Sequence, residues 1–140
     1  MSERDTIAFV LYFLSAIGSI AFGVLLLSCK TFLPYHKKAI NMAWEELSSG
    51  LQILIQSFIK LVAGGFFLVG FAILILLLIP FRQGEHWAHW TIPLLAIVWS
   101  AFCLFVTARI TVKTHVATTW PVSVLAIIIT VIAFVLSPGF

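Results

Sequence analysis

Apolar residues dominate four long blocks of this chain, separated by shorter polar stretches. Apolar blocks of that length read as helices, because membrane-barrel strands alternate and need only about 9–11 residues. A helix requires roughly 20 mostly apolar residues to cross about 30 Å of hydrocarbon. The four blocks are residues 7–27, 57–79, 91–110 and 121–136. The first is free of charge. The second has its apolar core at Leu61–Ile79 and stops at Pro80. The third carries Arg109 at its end, and the fourth is short, with Pro121 where a first-turn proline is tolerated. The predicted fold is therefore all-α integral membrane: a four-transmembrane-helix bundle forming a single domain over residues 1–140. Helices satisfy their backbone hydrogen bonds internally, as lipid demands. The first block has some marks of a signal sequence, with Arg4 before it and a lipoprotein-like box at Leu26-Leu27-Ser28-Cys29. It is longer than the usual signal core of about 7–15 residues, so an uncleaved span is expected.

The polar stretches add smaller elements. His36–Leu47 predicts a short interfacial amphipathic helix in loop one, following Pro34. Ala39, Ile40, Ala43, Trp44 and Leu47 share one face, and Lys37, Lys38, Asn41 and Glu45 the other. Ser48-Ser49-Gly50 reads as a break whose serine can cap the next helix. Beyond it, Gln52, Gln56 and Lys60 recur every four residues and so share a helix face. With Arg109 and Glu45 they form a candidate polar rim suited to an anionic headgroup or a small anion, and Arg109 is placed to pair with Glu45 or Glu46. In loop two, Trp87 and Trp90 read as interfacial anchors. Glu85, His86 and His89 are the nearest approach to a metal site, since histidines at i and i+3 can meet on one helix face. They fall short of the four ligands of a structural zinc, and His36 and His115 should lie across the membrane. No resident metal or cofactor is expected. Small residues mark the helix contacts: Ser15, Ser19 and Gly23; Gly64, Gly65 and Gly70; Ala96, Ser100 and Ala101; Ser123 and Thr130.

Composition sharpens the class. Of 140 residues, 62% are hydrophobic and 9% charged, against about 25% charged in a soluble domain. That excludes a soluble enzyme, a disordered tail and a nucleic-acid-binding domain, and two cysteines exclude a disulfide scaffold. The net charge of +3 is unevenly placed. Lys30, Lys37, Lys38, Lys60, Arg109 and Lys113 belong to loops one and three and the adjoining helix ends, and only Arg4 and Arg82 to the opposite side. The positive-inside rule then puts loops one and three in the cytoplasm and both termini outside. No span carries a carboxylate or a histidine, and no phosphate-binding loop or nucleophile elbow is present. No catalytic residues are assigned.

Three stretches carry a resemblance. They are Trp44-Glu45-Glu46-Leu47 through Gly50-Leu51-Gln52 to Ala63-Gly64-Gly65; Ile79-Pro80-Phe81-Arg82 with Trp87 and Trp90; and Thr107-Ala108-Arg109 through Thr119-Trp120-Pro121. Together, over residues 34 to 135, the chain resembles a group of small four-span bacterial inner-membrane proteins of no established activity. More loosely it is similar to DoxX-like four-helix membrane proteins. The resemblance implies a bacterial inner-membrane location and no particular activity. The expected function is a non-enzymatic accessory protein that binds membrane lipids, a second copy of itself or a membrane-protein partner, and no nucleic acid. The alternatives are a small membrane enzyme or carrier for a quinone or isoprenoid, and a dimeric small-solute channel or exporter.

Overall fold

The computed structural model describes residues 2–137, and among them there is no strand. Helix α1 runs Glu3–Ser28 and opens on a capping box. Ser2 Oγ accepts the Asp5 N–H at 3.1 Å, and the Asp5 carboxylate accepts the Ser2 N–H at 2.9 Å and the Ser2 Oγ–H at 2.8 Å.

Loop one corrects the sequence expectation. The single helix predicted over His36–Leu47 is not formed. Helix α2 spans Pro34–Ile40, and Asn41 then takes the left-handed conformation (φ 53, ψ 38) and ends it. Asparagine is one of the few residues that tolerate this conformation. A separate 3-10 turn follows at Trp44–Glu46, started by the Glu46 carboxylate accepting the Ala43 N–H at 2.9 Å. Pro34 opens α2 rather than preceding it.

Helix α3, Ser49–Leu76, is capped by Ser48, whose hydroxyl accepts the Leu51 N–H at 3.4 Å. The sequence reading stops this span at Pro80. Instead the helix widens into a π turn, Leu77–Phe81, that takes the proline inside it. Pro80 cannot donate a backbone hydrogen bond, and a widened turn accommodates that gap. Helix α4, His86–Thr114, begins inside the stretch read as loop two and continues four residues beyond the predicted span. Helix α5, Trp120–Leu136, has Pro121 in its first turn, as its sequence predicts.

Among the described residues, three helical stretches are long and apolar enough to cross a membrane: Glu3–Ser28, Ser49–Phe81 and His86–Thr114; α5 is apolar but shorter. Helix α1 packs chiefly on α3 and α5, and α4 on α5, while α3 and α4 meet more sparingly. The buried stripe of α1 is Ala8, Tyr12, Ala16, Gly23 and Leu26, a spacing that keeps one helical face inward. Its contact with α3 is close. A Cβ on Gly70 would lie 2.6 Å from Ile20 Cγ1 and 3.0 Å from the Ala16 carbonyl oxygen. Ser19 Oγ reaches across to donate to the Phe66 carbonyl at 2.8 Å. Ser15 turns back instead to the Leu11 carbonyl of its own helix. Between α3 and α4, the Trp99 indole lies over Gly65, 2.2 Å from where a Cβ would stand.

Two buried clusters result. One gathers Ala8, Tyr12, Ile73, Leu77, Phe81 and Ile92 around the π turn. The other joins Leu26, Ile59 and Ala63 to Phe32 and Leu47 of loop one. The outward faces of the long helices are strongly apolar, with Leu61 and Leu68 more than 70% exposed. Cys29 and Cys103 are both free thiols.

Candidate functional site

Polar groups collect at the two ends of the bundle. At the end closed by loops one and three, the sequence-predicted rim is divided between structural and surface positions. Gln52 Nε2 donates to the Trp44 carbonyl at 2.8 Å, and Gln56 Nε2 donates to the Lys30 carbonyl. Both amides clamp loop one against α3, which is why Phe32 and Leu47 can be buried there. Lys60 is exposed on α3, and Glu45 is exposed in the 3-10 turn. Arg109 lies on the exposed surface of α4, in a shallow recess with Leu104, Phe105, Val112 and Lys113. Glu46 directs its carboxylate to Ala43, and among the described residues no ion pair joins Arg109 to either glutamate.

The same end holds a groove of about 330 Å³ that sequence reasoning did not anticipate. Phe22 of α1, Leu33, Pro34 and Ala117 supply its apolar lining, and Tyr35, Lys38, Thr118 and Thr119 its polar lining. The turn after α4 is held in place there. Thr118 Oγ1 donates to the Thr107 carbonyl at 2.9 Å and meets Thr111 Oγ1 at 2.9 Å. On α2, Leu33 N–H donates to His36 Nδ1 at 3.3 Å, so this nitrogen acts as an acceptor. His36 also packs edge-on against Tyr35 and Phe32. Burial lowers the His36 pKa, keeping the ring neutral, as the accepted hydrogen bond requires. Burial likewise raises the Tyr35 pKa, with negative charge on Cys103 a smaller cause, so the phenol stays protonated.

At the opposite end three residues far apart in sequence meet. Ser137 Oγ donates to Asp5 Oδ1, and His89 Nδ1 lies 3.2 Å from Ser137 Oγ and 3.3 Å from the Ser137 carbonyl oxygen. A carbonyl can only accept, so Nδ1 carries the proton and the chain runs His89 to Ser137 to Asp5. His89 is 7% and Ser137 2% exposed, and Phe81 of the π turn packs against the imidazole at 4.5 Å. The histidine expected in loop two is therefore a buried bundle residue, while Glu85 and His86 remain exposed. Among the described residues no group of three His, Cys, Asp or Glu side chains gathers to hold a metal.

The arrangement is not that of a nucleophilic hydrolase. The serine stands between the histidine and the carboxylate, whereas a nucleophile needs the histidine between serine and acid. Its chemistry is cross-linking of α1, α4 and α5. A signal for it was present in the sequence: Asp5, His89 and Ser137 each flank an apolar block on the same predicted side. Nearby, the Tyr12 hydroxyl is buried with no hydrogen-bond partner among the described residues, as is the Trp99 indole N–H.

Compared with known proteins, the chain matches no protein-family model, no curated protein and no solved structure.

Proposed function

We propose that this chain is a multi-pass membrane protein in which α1, α3, α4 and α5 all cross the bilayer. It acts by binding lipid or a membrane partner at the end formed by loops one and three, without catalysing a reaction. The observation that carries the reading is the distribution of polarity. Long, outward-facing apolar surfaces separate two polar ends, and the end formed by loops one and three offers an open groove lined by a lysine. At the other end Asp5, His89 and Ser137 are bonded to one another. At 17 residues α5 is about 26 Å long, just short of the roughly 30 Å of hydrocarbon, and polar residues adjoin it at Thr119 and Ser137. The resemblance to small four-span bacterial inner-membrane proteins supports that membrane as the location. The charge asymmetry supports loops one and three in the cytoplasm and both termini outside.

Native mass spectrometry of gently extracted protein tests this reading. Retained lipid, or a stoichiometric membrane-protein partner, is the expected result. A bare chain with neither, from an extraction that keeps lipids on other membrane proteins, counts against it.

A further inference from the structure

The groove has a definite chemical polarity. Its apolar lining includes Phe22, a residue of the first long apolar helix, together with Leu33 and Pro34. Its border carries charge of one sign only: Lys38, in the last turn of α2, is the sole charged residue lining it, and no acidic side chain does so among the described residues. Thr118 is fixed by its bonds to Thr107 and Thr111. Thr119 is the N-cap of α5 and makes no side-chain cap bond.

At about 330 Å³ the groove is at the small end of ligand sites, which run from about 300 to 1,000 Å³. That suits a headgroup and the first carbons of a chain, not a whole lipid. We propose that the groove binds one anionic phospholipid of the surrounding bilayer, with its phosphate at Lys38 and Thr119 and its upper acyl chain along Phe22. This rests on the membrane reading above. The unopposed lysine selects an anion, and the neutral, protonated Tyr35 beside it adds no competing charge. Apolar lining shared with a long apolar helix, through Phe22, selects a lipid over a free phosphate. Lys37 neighbours Lys38 on α2 and is also exposed, but it does not line the groove, so it serves as the control.

The test uses the full chain reconstituted in nanodiscs of phosphatidylcholine with a minor share of phosphatidylglycerol, with retained lipid read by native mass spectrometry. The wild type should retain phosphatidylglycerol in preference to phosphatidylcholine. Lys38→Gln should lower that preference about tenfold, as loss of one charge-assisted hydrogen bond would. Lys37→Gln should change it by no more than about threefold, as for an exposed charge. Ala117→Trp fills the groove without altering charge and should abolish retention. Where that variant does not fold, the two lysine variants decide. Equal losses from Lys37→Gln and Lys38→Gln would overturn the proposal in favour of general surface attraction. Displacement of the lipid by inorganic phosphate would overturn it too, as would a protein partner cross-linked at Lys38 in its place. Retained lipid that ignores Lys38→Gln removes the groove assignment alone, whereas absence of any lipid or partner removes the function proposed above.

Discussion

Ser137 shows how one small side chain can determine an interface. Its hydroxyl donates to Asp5 and accepts from His89, and its carbonyl accepts from the same histidine. Ser137→Ala takes the hydroxyl donor from the Asp5 carboxylate, while the backbone carbonyl of residue 137 still accepts from His89. It should lower stability by about 1–3 kcal/mol, read as an earlier thermal midpoint in detergent. Adding Asp5→Asn should cost less than the sum of the two single changes, because both act on one hydrogen bond. Strict additivity would show that the contact contributes nothing. His36 behaves differently, because its Nδ1 must stay unprotonated to accept the Leu33 amide. Its folded pKa lies below the ordinary value of 6.5, chiefly through burial. The unfolded ring therefore binds a proton first as pH falls, so the stabilisation is complete above about pH 6.5 and is lost below it. Trp44 fluorescence should report loosening of α2 on acidification, because Phe32 packs on both Trp44 and His36. His36→Gln should remove most of that response, and an unchanged acid transition in the variant would place its origin elsewhere.

At the level of elements, adjacent glycines with different surroundings give a direct comparison. A Cβ on Gly65 meets the Trp99 ring at 2.2 Å, whereas on Gly64 it meets nothing within 4 Å. Gly65→Ala should destabilise by about 1–3 kcal/mol through overpacking. Gly64→Ala should be neutral or stabilising by up to about 1 kcal/mol, since alanine is the better helix former. Thermal unfolding of the two variants side by side separates packing from propensity. The helices themselves were legible in the sequence, because 20-residue apolar blocks, the Ser48 cap and the Pro121 first turn are local signals. Three features were not. The break at Asn41 opposed a continuous amphipathic pattern, and periodicity does not register one left-handed residue. The π turn absorbed Pro80, where a proline is read from sequence as an end. The start of α4 at His86 was hidden because tryptophans and histidines read equally well as an interfacial loop. The candidate rim failed to gather for a related reason. Four-residue spacing put Gln52 and Gln56 on one face correctly, but it did not say that loop carbonyls would fold back onto them.

For the molecule as a whole, the topology prediction can be tested at residues the structure leaves accessible. In a Cys103→Ala background, a membrane-impermeant thiol reagent should label Gln83→Cys from outside intact cells. Native Cys29 should react only after permeabilisation. The reverse pattern would invert the proposed orientation while leaving the fold untouched. The contact between Asp5 and Ser137 spans 132 residues, and this has a bearing on how the protein is made. At synthesis rates of about 5–20 residues per second, Asp5 emerges roughly 7 to 26 seconds before the serine it will bind. His89 also emerges well ahead of that serine. Over that interval the nascent chain holds a carboxylate and an imidazole whose eventual bond partner does not yet exist. Closure of this end is thus ordered by translation itself, and a ribosome stalled after α4 would hold a chain in which that end is still open.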